Sequence, residues 1–292
     1  MTLPGDEQVQ TGPGDFRDVV DVQVLDESLL VAARIARAPS AGRASVSALV
    51  LADGQPVLDM AEDIGAGVDT WDHAAAGPLQ LTIEQPFERW RLLLDAPEAR
   101  LELELHALTA PAALTEPATS AAGRAAGLHR YAQLCVATGT AEIGGRRRAV
   151  EAPAVRAHRW GLVGEVSRAR FLTVASKEGD LLTVAAVQPP GAQAHGEELV
   201  MAHMTRAGDG EGGDPLPFET VRLSTVFGED GLPVKAGAEL FRPGDELPSR
   251  LAGTAAGGIT GALPGTRASL TLFRFTLDGV PGFGSYEIEA AA

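Results

Sequence analysis

The chain has 292 residues, a formal net charge of -15 and a pI near 4.8. Its 45% hydrophobic content is that of a globular protein long enough for one large β unit or two smaller ones. The acidic balance excludes a phosphate-binding surface, so no nucleic-acid partner is expected.

In chain order, no long amphipathic helix is seen, and the best helix candidate is Ser28–Ala38, rich in Ala, Leu and Arg. Val46–Leu51, Ala52-Asp53-Gly54-Gln55 and Pro56–Leu58 form a hairpin signal, because Gly tolerates positive φ in the turn. Leu79–Ile83, Trp90–Leu94 and Leu101–Leu105 are strands; the last should bury its leucines and expose Glu102 and Glu104. Ala110–Gly127 is rich in Ala, Pro, Thr and Gly and reads as a linker with a short helical turn. A strong hairpin follows, Tyr131–Ile143, Gly144-Gly145 and Arg146–Val155, whose Arg146-Arg147-Arg148 run reads as a solvated turn flank. Further pairs are Arg170–Ala175 with Leu181–Val187, Thr220–Phe227 before the Glu229-Asp-Gly231 turn, and Ala268–Leu277 with Ser285–Glu289. Ala207–Pro217 and Gly253–Gly265 read as loops.

The pattern is all-β, with few short helices, and fits two consecutive barrel or sandwich halves. The expected division is an N-terminal half at 1–115, a linker at 116–127 and a C-terminal half at 128–292. Cys135 is the single cysteine, which excludes an internal disulfide and reads as a small buried hydrophobe. The amino terminus lacks the features of a signal peptide, and no apolar run approaches a membrane span, so a cytoplasmic protein is expected. The oligomeric state has no signal in the sequence.

Familiar catalytic signatures are missing: there is no G-x-S-x-G, H-E-x-x-H, P-loop or C-x-x-C motif. A G-x-G-x-x-G match at Gly208–Gly213 does not lead from a strand into a helix, so no dinucleotide is expected. Asp209, Glu211 and Asp214 miss the order of an EF-hand loop, and His195 and His203 lack a third metal partner. No cofactor and no metal are therefore expected. What stands out is Arg156-Ala-His158-Arg-Trp160. Alternate residues of a strand share a face, so Arg156, His158 and Trp160 should project together. His129, Tyr131 and Gln133 do the same on the strand before. A cavity holding these groups would suit a hydrophobic small molecule with a few polar anchors. His158 would act as acid, base or hydrogen-bond anchor, and Trp160 and Tyr131 would present π faces to a developing cation. Arg156, with His129 and Gln133, would orient a carbonyl or hydroxyl. From composition and spacing alone, the same groups better suit a structural barrel end in which the indole N–H finds a partner.

Leu128-His-Arg-Tyr-Ala-Gln133, Thr138-Gly-Thr-Ala-Glu-Ile-Gly-Gly145 and Arg156-Ala-His-Arg-Trp-Gly161 resemble the lipocalin-like family of hydroxyneurosporene synthase (carotenoid 1,2-hydratase) and AttH. Weaker echoes are Pro86-Phe-Glu-Arg-Trp-Arg91 and Gly282-Phe-Gly-Ser-Tyr-Glu287. The resemblance implies two lipocalin-like halves and a hydrophobic cavity. It makes His158 and Trp160 the catalytic candidates, beside His129, Tyr131, Gln133 and Arg156, which the strand faces offer for substrate binding. It also implies cofactor-free chemistry on a terpenoid, steroid or polyene-like molecule, of cyclase, isomerase or hydratase type; a non-catalytic carrier is the alternative. Many relatives have Asp and Ser where this chain has Ala157 and Arg159. The expected proton-donating acid is not found in Arg170–Gln188, where Glu178 and Asp180 sit in a turn.

Overall fold

A computed structural model describes residues 7–12, 14, 16–65, 68–115, 120–162, 166–189, 191–192, 197–207, 215–260 and 267–290. The strands are β1 (Phe16–Asp26), β2 (Leu29–Ala38), β3 (Arg43–Ala52), β4 (Gln55–Gly65), β5 (His73–Ala76), β6 (Leu79–Gln85), β7 (Arg89–Asp95), β8 (Ala99–Ala107) and β9 (Ala112–Thr115). The short helix α1 (Ala121–Ala126) leads to β10 (Leu128–Ile143), β11 (Arg146–Leu162), β12 (Arg168–Ser176), β13 (Asp180–Gln188), β14 (Leu199–Arg206) and β15 (Leu216–Pro217). The chain closes with β16 (Thr220–Phe227), β17 (Pro233–Phe241), β18 (Ser249–Thr260), β19 (Arg267–Leu277) and β20 (Val280–Ala290).

These strands build two curled antiparallel sheets. The first runs β4-β3-β2-β1-β11-β10-β8-β7-β6-β5, with β9 also paired to β10. The second runs β15-β14-β13-β12-β20-β19-β18-β17-β16. This is the two-half lipocalin-like architecture expected from the sequence. The break between sheets falls between Leu162 and Arg168, so the expected division at 116–127 does not coincide with it. The β10–β11 hairpin is long enough to pair along β8 on one side and β1 on the other, which places it in the first sheet. Within the expected linker, Ala112–Thr115 pairs with β10 as a short strand. Ser120 then caps α1 by accepting the N–H of Gly123.

Two expectations are corrected. Ser28–Ala38 is not a helix: Leu29–Ala38 is a strand between β1 and β3. Its alternate residues Leu29, Val31, Ala33 and Ile35 enter the first sheet's interior, while Leu30, Ala32 and Ala36 face the second sheet. A strand buried on both faces has a continuous apolar run, which carries no alternation to betray it. Gly253–Gly265 is not a loop over its described part, because β18 continues to Thr260. A Cβ on Gly253 would sit 2.2 Å from the Phe275 ring, and one on Gly257 would sit 2.7 Å from Leu51. The glycines let neighbours approach closely rather than break the strand. The expectations on Gly208–Gly213, Asp214 and His195 lie outside the described residues. His203 is described; it is buried in β14, with Nε2 2.9 Å from Thr183 Oγ1. Among the described residues no group of His, Cys, Asp or Glu is arranged to hold a metal ion. No helix of the described residues is long and apolar enough to cross a membrane.

Strand parity gives β1, β10 and β11 two different faces. The inner face joins the first sheet's apolar core through Val20, Val22 and Val24. The outer face meets the second sheet through Val19, Ala132, Val155 and Ala157, against Leu270, Leu272 and Phe283. A buried ionic seam runs through that contact. Glu287 Oε1 accepts from Arg34 Nη1 and from Arg159 Nη2, each at 2.6 Å. Arg34 also pairs with Asp21, and Arg159 with Glu289. Gln23 donates to Ser285 Oγ at 2.7 Å. Burial pushes the Glu287 carboxyl up, but Arg159, Arg34 and Arg130 outweigh it and hold the group well below the usual carboxylate range.

Candidate functional site

The inner face of the β10–β11 hairpin carries the six candidates together, as parity requires. In the antiparallel register His129 lies opposite Trp160, Tyr131 opposite His158, and Gln133 opposite Arg156. The rings are in contact. His129 and Trp160 stack with centroids 5.1 Å apart, and His158 lies 4.8 Å from Trp160 and 5.8 Å from Tyr131. Trp71 adds an edge 6.0 Å from the imidazole. His158, Tyr131, Arg156 and Gln133 are buried, while Trp160 and His129 are half-buried. The last two therefore form the side of the cluster nearest solvent.

Gly161 fixes the end of this strand. Its φ is +137°, and a Cβ there would lie 2.0 Å from the Gly127 carbonyl oxygen. The backbone of β11 can approach β10 this closely beside Trp160 only without a side chain.

Two carboxylates that the sequence reading did not assign complete the cluster. Asp18, on β1 opposite Trp160, is fully buried. Its Oδ1 lies 2.6 Å from His158 Nε2. Its Oδ2 accepts from Trp71 Nε1 at 3.0 Å, from the Gln10 N–H at 2.8 Å and from Arg37 Nη1 at 3.0 Å. A carboxylate accepting from all these donors leaves the imidazole Nε2 to donate. The second is Glu7, also fully buried. It pairs with Arg156, accepts the Tyr131 hydroxyl at 3.1 Å on Oε1 and accepts the Phe87 N–H at 2.8 Å on Oε2. Arg156 Nη1 donates to the Tyr131 oxygen at 2.9 Å, and its guanidinium lies 4.3 Å from the centre of the Trp90 ring. Burial raises the Tyr131 phenol well above its ordinary range, so it stays protonated and donates. Gln133 spends its amide N–H bonds on the Phe87 and Thr109 carbonyls, at 2.8 and 2.6 Å. Trp90 Nε1 and Gln133 Oε1 are buried without a hydrogen-bond partner.

The signal for Asp18 was present in the sequence. It shares parity with Val20, Val22 and Val24, and a lone carboxylate on an apolar strand face calls for a buried partner. Glu7 had no comparable signal, because it lies before the first strand. Glu178 is exposed in the β12–β13 turn, as expected, and is no part of the cluster. Ala157 and Arg159 project from the other face of β11, Ala157 into the apolar contact between sheets and Arg159 onto Glu287. The two departures from the family pattern therefore lie on the face opposite the His158 cluster. Cys135 is buried in β10, and burial pushes its thiol up to about 12, which makes it an inert hydrophobe.

Similar folds are known. The structure superposes on a protein assigned as AttH from Nitrosomonas europaea with a TM-score of 0.68 and 14% identity, covering 93% of this chain and 91% of that one. It superposes on CghA, crystallised with Sch210972, with a TM-score of 0.59 and 15% identity, covering 95% and 88%. Without that compound CghA gives a TM-score of 0.60. At these identities the likeness is one of fold, and at that level the resemblance read from the motifs holds. No curated protein sequence matches the chain significantly. Residues 18–292 match the family described as a domain of unknown function, DUF7064, and the chain belongs to that family.

Proposed function

We propose that this protein is an enzyme that acts on a hydrophobic small molecule by cofactor-independent proton transfer at His158. The observation that carries the reading is the buried His158–Asp18 contact of 2.6 Å inside a box of Trp71, Tyr131 and Trp160. A carboxylate behind an imidazole fixes its orientation and tautomer and stabilises the imidazolium that forms when it takes a proton. Here the carboxylate is on Nε2, which fixes the orientation of the ring among the π faces around it. The π faces around it stabilise positive charge on carbon as an alkene is protonated. Arg156 and Tyr131 supply donors for an oxygen of the ligand. The half-buried Trp160 and His129 rings are the side from which a ligand enters.

Terpenoids, steroids and polyenes are the ligand classes of this reading, and a hydratase, an isomerase or a cyclase would each use such a site. A hydratase and an isomerase move a proton through His158, whereas a cyclase can work by holding a reactive conformer. A carrier is the second reading, favoured by the way the protein already satisfies these groups itself, Asp18 with Arg37 and Glu7 with Arg156 and Tyr131. The two readings separate on product analysis. Wild type and His158→Gln are incubated with terpenoid, sterol and polyene panels, and bound and released compounds are identified by mass spectrometry. The enzyme reading expects product from wild type and unchanged ligand from the variant. Binding without product in both means a carrier, and equal turnover by both rules out His158.

A further inference from the structure

We infer that the Arg156–Tyr131 end of the cluster is a carboxylate headgroup site, that the ligand is a hydrophobic carboxylic acid, and that Glu7 is the chain's own occupant of that site. The inference rests on the reading of this face as the ligand site and deepens it. Three kinds of donor converge on the Glu7 carboxylate: the Arg156 guanidinium, the Tyr131 hydroxyl and the Phe87 backbone N–H. That is how proteins bind a free carboxylate, with charge and directional hydrogen bonds together. The occupant comes from the segment before β1, outside both sheets, whereas every donor sits on or beside the first sheet. The donors also have contacts with the sheet that do not involve Glu7: Arg156 lies over Trp90, and Tyr131 is packed by Phe87 and His158.

Two further buried polar atoms adjoin the cradle and have no hydrogen-bond partner, Trp90 Nε1 and Gln133 Oε1. An unspent donor and an unspent acceptor beside an anion cradle are what a larger ligand headgroup would use. The cradle is selective because Arg156 is only 1% exposed. Glu7 can be displaced only by another anion, since an uncompensated buried guanidinium is strongly unfavourable. The Tyr131 ring spans from the cradle to the imidazole. In the proposed pose a ligand anchored by its carboxylate runs along this ring toward His158. The chain's other tyrosine, Tyr286, also accepts from an arginine that pairs with a glutamate, Arg170 with Glu198. No histidine–aspartate contact is found beside that pair among the described residues.

The test uses the full chain with Glu7→Ala, Glu7→Gln and Glu7→Ala/Arg156→Gln, and probes with acetate, octanoate and octanol. Binding is followed by thermal shift and calorimetry. Octanoate should bind Glu7→Ala at least ~10-fold more tightly than wild type, because the tethered competitor is gone. Octanol should not share that gain, and the double variant should lose it. If Glu7→Ala folds poorly, acetate should restore its melting temperature, and Glu7→Gln should show the same preference for octanoate over octanol. Equal gains for octanoate and octanol, no gain in either Glu7 variant, or a gain that survives Arg156→Gln would overturn the headgroup assignment. Proton transfer at His158, read on neutral ligands, would stand or fall separately.

Discussion

Asp18→Asn isolates the contact on which the site depends, since it changes charge and hydrogen-bonding capacity with almost no change in shape. In the wild type the carboxylate accepts His158 Nε2, Trp71 Nε1, the Gln10 N–H and Arg37 Nη1. The amide keeps most of these partners only by placing its oxygen where Oδ2 now lies. Its NH2 group then faces His158 Nε2, and the charged hydrogen bond between them is lost. A hydrogen bond to a charged group contributes about 1.5–3 kcal/mol, against about 0.5–1.5 kcal/mol for a neutral one. Losing roughly 1 kcal/mol at each of these bonds gives a destabilisation of about 4 kcal/mol. That agrees with the roughly 3–5 kcal/mol expected when a buried pair such as Asp18–Arg37 loses one partner. For a chain of this size the melting temperature should fall by roughly 10 °C. Urea unfolding followed by tryptophan fluorescence measures the loss, and nitrogen-15 histidine spectra report the state of the His158 ring. A loss under about 1 kcal/mol with the ring spectrum unchanged would refute the reasoning.

Gly161→Ala should lower stability by more than about 2 kcal/mol, since it adds a Cβ both at a positive φ and against the Gly127 carbonyl. Near-UV circular dichroism should show Trp160 disturbed, and an unchanged spectrum and melting point would argue against the close approach. Burial lowers the pKa of His203 from 6.5 to about 4. The folded state thus binds a proton less readily than the unfolded state, and the contribution is complete above pH 6.5 and lost as pH falls toward 4. The loss amounts to about 3 kcal/mol over that window, at 1.36 kcal/mol per unit. Denaturant titrations from pH 7 to 4 should therefore show a shallower acid limb for His203→Gln, and parallel limbs would contradict the assignment.

Much of the fold was legible where one face of a strand meets solvent. Leu101–Leu105 buries its leucines and exposes Glu102 and Glu104, and Asp53-Gly54 turns β3 into β4 with φ values of +49° and +76°. The site face was legible although both faces of β11 are buried there, because parity alone gathers Arg156, His158 and Trp160. Leu29–Ala38 was misread because neighbours cover both its faces, which removes the alternation that marks a strand. The membership of β11 in the first sheet was not legible, because hydrogen bonding across β1–β11 joins segments more than a hundred residues apart and no local pattern records that pairing. Distance along the chain also hid the carboxylates: Asp18 and His158 are 140 residues apart, and Glu7 and Tyr131 are 124 apart. Parity along β1 marks Asp18 as unusual without naming its partner.

The central claim is that His158 moves a proton to or from a bound hydrophobic ligand, and deuterium transfer from heavy water tests it most directly. Wild type incubated in heavy water with polyene and terpenoid ligands should place solvent deuterium on a ligand carbon, detected by mass spectrometry. His158→Gln should bind the same ligands and transfer none. Deuterium incorporation at equal rates in the two proteins, or ligand turnover in wild type with no deuterium incorporated, would contradict the account.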